Sequence, residues 1–356
     1  MFSKTALSTI SFLIFFVLLS FTVDSSTNNG SHIGLDVKED CSSTIGDTTS
    51  LYAMIYQAEE VVIGLSSKIK TIASNFKKGS PTEGTVSVSV DNNAYTFTTT
   101  FELGGKSRRK ICKMPPVKLN VKKKELQSQG FSKGLDKSKI VFQCNTSKNM
   151  TESIKMEKLL YDLYAVVSPY ARRAKMIKVN IDGEKKTFDA FLLEDDDDFE
   201  VRTGTKIIKS RTIATSVLNR TEYVKMCMFQ FMISNADWSA RKGHNTDLYR
   251  REEDNSLIIV PYDFDYSGII NNDYAVAPEN LPIERVTQRH FMDKNIPITE
   301  MKAGIDLFLE KESTMFKTIE EASFLSEGSK KRFTKFIGEF YKIIKDEKRI
   351  NRMMKK

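Results

Sequence analysis

The sequence predicts an α+β fold in which a β-rich first half precedes a mainly helical second half. Two patterns indicate this order. Between residues 85 and 194, apolar and polar residues alternate in short runs, which is the spacing of half-buried strands. In the last part of the chain, apolar residues recur at helical spacing, most clearly from Phe333 to Ile344. With 356 residues, 40% of them hydrophobic, the chain can bury the core of one large domain or two smaller ones.

The β-rich half divides into segments that follow one another closely. The runs TVSVSV and YTFTTTFEL predict a hairpin with its turn at DNN. A third strand follows Pro115 and Pro116, and KIVFQCN predicts a fourth. An amphipathic helix from Glu152 to Val167 comes next, and the turn at Asp182 and Gly183 joins the strands MIKVNI and TFDAFLLE.

Residues 1–25 have the pattern of a secretory signal peptide. Lys4 precedes an uncharged apolar run from Ile10 to Val23, and small polar residues follow it. The run is shorter than the ~18 residues at which a membrane span is the default interpretation. The sequence therefore predicts a secreted or extracytoplasmic protein without a stable membrane span after signal removal, with an uncleaved anchor as the alternative. Residues 26–80 are predicted to be a leader and linker with a helix.

Cysteines and charge add two expectations. Cys112 and Cys144 lie in consecutive strand-like segments, where neighbouring strands bring Cα atoms within bridging distance, and they are predicted to form a disulfide. Cys227 lies in an apolar run and is predicted to be a buried thiol. The formal charge is +8, but the basic residues are scattered among 46 acids without a basic stripe, so nucleic acid is not an expected partner.

The second half begins with a buried helix from about Thr221 to Ser234, followed by a polar cluster, the strand SLIIVPY and further helices. The whole order is a hairpin, two strands, a helix, two strands, the acidic connector from Glu194 to Asp198, and a helical half. This is the order of an atypical protein-kinase-like bilobal fold. In that interpretation residues 81–198 are a β-rich N-lobe and residues 199–356 a mainly helical C-lobe.

Two polar clusters flank the strand SLIIVPY. Asp237 and Asn245 lie eight residues apart before it, and Asp263 and Asp265 follow it directly. In kinases, a base Asp and a metal-binding Asn precede a metal-binding Asp in the same order, because phosphoryl transfer needs a carboxylate to orient the nucleophile and oxygen ligands for Mg²⁺. The Asp-to-Asn spacing is longer here than in ordinary protein kinases, and DFD replaces DFG.

The segments RRKICKMPPVKLN, FLLEDDDDF, NADWSARKGHN and VPYDFDYSG, in this order, resemble the spore-coat protein H (CotH) kinase-like family, particularly its exported members. The resemblance runs from about Gly84 through the segment VTQRHF and, more weakly, into the C-terminal helices. It implies a secreted atypical kinase that uses ATP and Mg²⁺ or Mn²⁺ to phosphorylate a protein acceptor.

The resemblance also implies roles for individual residues of the second half. Asp237 becomes the catalytic Asp, Asn245 and Asp263 become metal ligands, and Asp265 supports or shares the metal. His244 is expected to order the loop by hydrogen bonding. Trp238, the only Trp, is expected to anchor the loop by packing.

The nucleotide-binding residues are predicted from the order of strands and helix. Glu157 on the amphipathic helix is the expected partner of the phosphate-binding Lys. Lys139 is favoured over Lys118 for that role, because the strand of Lys139 immediately precedes the helix. Glu194 lies where a kinase hinge presents backbone groups to adenine. No G-x-G-x-x-G covers the phosphates, and Gly104 and Gly105 are a poor substitute.

Each of these residues has a simpler interpretation. Asp237 and Asn245 are also common residues of helix caps and turns. Lys139 and Glu157 are residue types that usually lie exposed at the surface. Asp263 and Asp265 are also compatible with a solvated turn, and the acidic run at 195–198 with a solvated loop.

Two other functions stay open from the sequence. LIIVPYDFDYS resembles the strand and D-x-D of haloacid-dehalogenase-type phosphatases, with Asp263 as the nucleophile. Only 93 residues follow Asp263, and they are predicted to be helical, which disfavours that class. The second alternative is a catalytically inactive, kinase-shaped secreted scaffold or binding protein.

Overall fold

The computed structural model describes residues 50–66, 81–91, 93–105, 108–145, 147–209, 212–293 and 295–354. The predicted signal peptide and most of the predicted leader and linker lie outside these residues. Within these ranges, no helix combines the length and apolar character needed to cross a membrane.

The first half of the described chain is built around a closed β-barrel. Its strands are β1 (Val61–Leu65), β2 (Thr82–Val90), β3 (Asn93–Leu103), β4 (Val117–Val121), β5 (Lys137–Phe142), β6 (Ala174–Ile181) and β7 (Phe188–Leu193). They follow the order β1-β2-β3-β4-β5-β7-β6 around the barrel. Neighbours pair antiparallel except β1 and β6, whose parallel pairing closes the barrel.

The predicted hairpin is confirmed as β2 and β3. Val90 pairs with Asn93 across the turn, and Val86, Val88 and Phe97 point into the barrel core. The alternation of the sequence is therefore the alternation between core and surface.

The strand β1 lies within the region that was predicted to be leader and linker, so the sheet begins earlier than the predicted boundary at residue 81. Val61, Ile63 and Leu65 are buried in the barrel core, with intermediate burial between them. The run is short, and its pairing with β6 joins residues more than 100 positions apart, which local patterns do not reveal.

The helices have the following bounds: α1 (Leu51–Gln57), α2 (Arg108–Ile111), α3 (Lys123–Ser128), α4 (Lys148–Ala165), α5 (Asp196–Thr203), α6 (Arg220–Met232), α7 (Ile298–Glu310), α8 (Glu312–Glu321), α9 (Glu327–Ile344) and α10 (Glu347–Met354). A second, antiparallel sheet contains β8 (Thr205–Ile207), β9 (Thr246–Arg251) and β10 (Leu257–Pro261), in the order β10-β9-β8. The predicted α+β class is confirmed.

The helix α4 links the barrel to the helical half. Its stripe of Leu159, Leu160 and Leu163 is fully buried in a core that it shares with α6, α9 and part of β7. The side chain of Ser147 caps its N-terminus by accepting a hydrogen bond from the backbone N–H of Met150. The barrel has a separate apolar core of its own.

The cysteines and the acidic connector complete the fold. Cys112, directly after α2, forms the predicted disulfide with Cys144, directly after β5, with 4.4 Å between their Cα atoms. Cys227 is buried and unpaired, as predicted. Residues 196–203 form the helix α5 rather than a solvated loop, because Asp195 caps the helix and its first turn carries three carboxylates that suit the helix N-terminus.

Candidate functional site

A cavity of about 570 Å³ lies between the barrel and the helical half. From the barrel it is lined by the end of β3, by α2 and by Lys118 and Lys139 on β4 and β5. From the second half it is lined by Asp237, by residues 243–245 and 247, and by residues 262, 263, 265 and 266. We call Asp237, His244, Asn245 and Asp263 the loop side of this cavity, and Arg108, Lys118 and Lys139 its barrel side.

The loop from residue 237 to residue 245 is folded back on itself. Ser239 and His244 exchange backbone hydrogen bonds of 2.9 and 3.0 Å, which brings the two ends of the loop together. The side chain of Asn235 accepts a hydrogen bond from the backbone N–H of Asp237 at 3.0 Å. Trp238 is buried and donates its indole N–H to the carbonyl oxygen of Asn235 at 3.1 Å. The long Asp-to-Asn spacing is therefore absorbed by a hairpin-like loop.

Asp237 is held by two neighbours of the loop side. His244 Nε2 lies 2.8 Å from Asp237 Oδ1, and Asn245 Nδ2 donates to Asp237 Oδ2 at 3.0 Å and to the Asp237 carbonyl oxygen at 2.7 Å. The Asp237 side chain nevertheless keeps 36% of its surface exposed. The predicted neighbourhood of Asp237, His244 and Asn245 is thus present, with a carboxylate that is oriented and still accessible.

Asp263 reaches the same cavity from the end of β10. The strand pairs with β9 up to Pro261 and Thr246, and the backbone N–H of Tyr262 donates to the carbonyl oxygen of Asn245 at 3.1 Å. Asp263 has a φ of 61°, in the left-handed region that non-glycine residues seldom adopt, and its backbone N–H donates to the hydroxyl of Tyr161 at 3.1 Å. Such backbone outliers are concentrated at functional sites.

Asp265 forms an ion pair with Arg108 that was not predicted. It is buried, and its Oδ2 accepts hydrogen bonds from Arg108 Nε and from the Tyr274 hydroxyl, both at 2.9 Å. The Arg108 guanidinium also forms an ion pair with Glu157, which is equally buried. Arg108 therefore neutralises Asp265, and the share of Asp265 in a metal ion stays a prediction.

The same ion pair corrects the predicted partner of Glu157. Among the described residues, Glu157 forms an ion pair with Arg108 and with neither Lys139 nor Lys118. Burial raises the pKa of Glu157 and of Asp265 above their ordinary values, while the Arg108 charge opposes that effect. One guanidinium thus joins the helix α4 to the turn after β10.

The two lysines of the barrel side lie directly opposite each other. Lys118 on β4 pairs with Lys139 on β5, and both line the cavity. Like charges at directly opposed positions of neighbouring strands repel each other. An anion bound in the cavity would relieve that repulsion.

The connector differs from the predicted hinge. The backbone N–H of Glu194 donates to the carbonyl oxygen of Arg173, and its own carbonyl oxygen accepts from Arg172 Nη1, both at 3.0 Å. The Glu194 side chain accepts two hydrogen bonds of 2.7 Å from Arg202. The backbone N–H and carbonyl oxygen of Glu194, which were expected to face adenine, therefore both form hydrogen bonds within the protein.

Three functional-site residues were missed by sequence reasoning. Arg172 is buried and joins the connector to β9 through a hydrogen bond of 2.7 Å to Asp247. Arg109 donates to the carbonyl oxygens of Leu103 and Gly104 and so fixes the glycine turn. Arg108 is the third. Its only sequence signal is the pair of arginines separated by two residues from Gly104 and Gly105, because its partners are 49 and 157 positions away.

Comparisons with known proteins add little to this geometry. No protein-family model and no curated protein matches the chain. A solved structure of the Helicobacter pylori proinflammatory kinase CtkA is similar over 61% of this chain and 92% of that chain, with 10% sequence identity and a TM-score of 0.38. This overlap is too low to establish a shared fold, and it does not show membership of the spore-coat protein H family. The basis for a functional proposal is therefore the set of residues that line the cavity.

Proposed function

We propose that this protein is a secreted atypical kinase that transfers phosphate from ATP to a hydroxyl group of an acceptor protein. The observation that carries the proposal is the shared lining of one cavity. Asp237, Asn245 and Asp263 line it from the loop side, and Lys118 and Lys139 line it from the barrel side. Phosphoryl transfer needs this combination of an oriented carboxylate, oxygen ligands and cationic groups for phosphates.

The chemistry assigned to the site is a single displacement. The acceptor hydroxyl oxygen attacks the γ-phosphorus of ATP, and a new O–P bond forms. The bond between the γ-phosphorus and the β–γ bridging oxygen breaks, and ADP leaves with that electron pair. Asp237 accepts the hydroxyl proton, and His244 and Asn245 hold its carboxylate in position.

The residues of the loop side fit a divalent cation of the Mg²⁺ type. Within the described ranges, no group of three His, Cys, Asp or Glu residues is arranged to hold a metal ion alone. Mg²⁺ is usually bound by one or two carboxylates together with phosphate oxygens and water. Asp263 and the side-chain oxygen of Asn245 are the groups proposed to hold Mg²⁺ or Mn²⁺, which would neutralise phosphate charge.

The barrel side is proposed to bind the phosphates through Lys118 and Lys139. The pair formed by Arg108 and Glu157 stands where a Lys–Glu pair was expected, and it positions α4 against the turn that carries Asp265. The disulfide between Cys112 and Cys144 supports a location outside the reducing cytoplasm.

A scaffold without catalysis is the second candidate. It is favoured by the pairing of Glu157 with an arginine and by the internal hydrogen bond of the Glu194 N–H, since both depart from an active kinase site. Such a protein would bind a ligand in the cavity without turnover.

The test measures the transfer of labelled phosphate from ATP to an acceptor protein in the presence of Mg²⁺ or Mn²⁺. The γ-label should be transferred by the wild type and lost in Asp237→Asn and Asp263→Asn, since a positioned base alone contributes about 100- to 10,000-fold. Asp306→Asn, an exposed acid on α7 that does not line the cavity, is the matched control and should leave transfer unchanged. Transfer of the α-label would indicate AMP transfer instead, and equal transfer by all variants would refute the proposal.

A further inference from the structure

A second, smaller cavity lies directly beside the first. Its volume is about 220 Å³, and its lining is mostly apolar. Asp237 and Tyr266 line both cavities, so the second one adjoins the carboxylate proposed to accept the proton of the acceptor hydroxyl. Much of its remaining wall is formed by Val276, Pro278 and Ile283.

This wall belongs to a long irregular segment. Between residues 267 and 293, the described chain contains neither helix nor strand. Irregular segments of this length inside a compact domain are uncommon and usually functional. The wall is therefore a candidate for binding rather than a simple connection.

The base of the segment is anchored to the helical half. The Ser234 hydroxyl donates to the carbonyl oxygen of Val286 at 2.7 Å, and the backbone N–H of Gly268 donates to the carbonyl oxygen of Ser234 at 2.9 Å. A Cβ at position 268 would collide with the Val286 carbonyl oxygen, so only glycine permits this close approach. These contacts give the cavity a formed floor in the absence of a ligand.

Val276 lies on the wall of this cavity with 71% of its surface exposed, more than any other large hydrophobic residue in the described part of the chain. An aliphatic side chain beside an apolar cavity gains from a ligand that covers both. Three acids of the same segment, Asp273, Glu279 and Glu284, are also exposed, against one exposed base, Arg285. They favour a neutral or basic ligand over an acidic one.

We propose that the second cavity binds one large aliphatic or aromatic side chain of the acceptor protein, one or two residues from the hydroxyl that is phosphorylated. The cavity is smaller than the ~300 Å³ at which pockets for drug-sized ligands begin, which suits a single side chain. Because Asp237 lines both cavities, a peptide bound there presents its neighbouring hydroxyl to that carboxylate. This inference rests on the proposed kinase function and specifies its acceptor.

The test uses the protein without its predicted signal peptide, residues 1–25. Its substrates are synthetic peptides that contain one Ser among Ala and Lys residues. A Leu, Phe or Glu is placed at each position near the Ser, one position at a time. Transfer of the γ-label and direct binding, by fluorescence anisotropy of labelled peptides, are both measured. At one position, Leu and Phe should raise kcat/KM and affinity by about 10- to 100-fold over Ala, and Glu should not.

The matched variants are Val276→Asp and Val217→Asp. Val276 lines the cavity and is already exposed, so its substitution should not disturb folding. Val217 is 56% exposed and lines neither cavity. Val276→Asp should remove the preference for Leu and Phe, whereas Val217→Asp should leave both that preference and use of the all-Ala peptide unchanged.

The two readouts separate the failure of this inference from that of the proposed function. Transfer that depends on Asp237 but shows no preference for Leu or Phe, and no effect of Val276→Asp, would overturn the apolar subsite and leave the kinase standing. Binding of the Leu peptide that is lost in Val276→Asp, without transfer, would support the subsite and overturn the kinase. Neither binding nor transfer would overturn both.

Discussion

The two sides of the candidate cavity hold their charged side chains in different ways. On the loop side, Asp237 is held by His244 and Asn245, which are at most eight positions away. On the barrel side, Arg108 is paired with Glu157, which lies 49 positions away on α4. Spacing along the chain therefore predicts the first set of contacts, and only the tertiary structure determines the second.

The largest difference between the sides should appear in stability when Arg108 is replaced. Arg108→Met leaves Glu157 and Asp265 buried without their cation, and removal of one partner from a buried ion pair costs about 3–5 kcal/mol. Urea unfolding at neutral pH measures this loss. The variant should recover stability relative to the wild type as the pH falls, because the unpaired carboxylates can then take up protons.

Arg109→Met is the control for Arg108→Met. Arg109 donates to the carbonyl oxygens of Leu103 and Gly104 and neutralises no buried carboxylate, so its loss should cost only about 1 kcal/mol. Equal costs for the two variants would show that the buried ion pair does not organise the barrel side.

Removal of the disulfide should weaken the barrel side by a smaller amount. The bridge between Cys112 and Cys144 closes 32 positions of chain and holds the end of α2, and hence Arg108, against the end of β5. The double variant Cys112→Ser, Cys144→Ser should lose about 2–4 kcal/mol of unfolding free energy. An unchanged urea midpoint of the double variant would contradict this role.

Asp198 in the connector should make the stability depend on pH by about 4 kcal/mol. Burial raises the pKa of Asp198 to about 7, and Ser50 donates a hydrogen bond of 2.6 Å to its Oδ1. In the unfolded chain the pKa is ~3.9, so the folded state binds the proton more tightly. The stability contributed by this group is present below pH ~4 and is lost as the pH rises to ~7.

Asp198→Asn should remove that loss. At pH 8 the variant should be more stable than the wild type by about 4 kcal/mol in urea unfolding, and at pH 4 the two should be nearly equal. A constant difference at all pH values would show that Asp198 is not the titrating group.

The smallest effect should come from the lysines of the barrel side. Lys139 lines the cavity opposite Lys118 and forms no ion pair with a described residue. Lys139→Met should therefore leave the urea midpoint unchanged and raise the KM for ATP by about tenfold, which corresponds to about 1.4 kcal/mol. Loss of stability with an unchanged KM would assign Lys139 a structural role instead.

Much of the fold follows from local patterns. The hairpin β2–β3 and the helices α4, α6 and α9 lie close to their predicted positions, because alternation and helical periodicity report directly on burial. The strand β1 was missed, since its five residues are defined by pairing with β6, far along the chain. The helix α5 was missed because its carboxylates resemble a solvated run, although they suit a helix N-terminus.

The candidate site also contains contacts that local sequence patterns predict and contacts that they do not. The grouping of Asp237, Asn245 and Asp263 was predictable because all three flank the hairpin formed by β9 and β10. The partners of Glu157 and Glu194 were not, because they are arginines brought in by folding from other elements. A buried charge needs a partner, but the sequence does not say which of 54 basic residues supplies it.

A crystal structure of the protein with a non-hydrolysable ATP analogue and Mg²⁺ tests the central claim most directly. We expect the triphosphate oxygens to lie against Lys118 and Lys139 in the larger cavity. We also expect a cation ligated by Asp263 and Asn245 at ~2.0–2.1 Å, with Asp237 facing the γ-phosphate. A nucleotide bound elsewhere, or a cation held without Asp263, would contradict it.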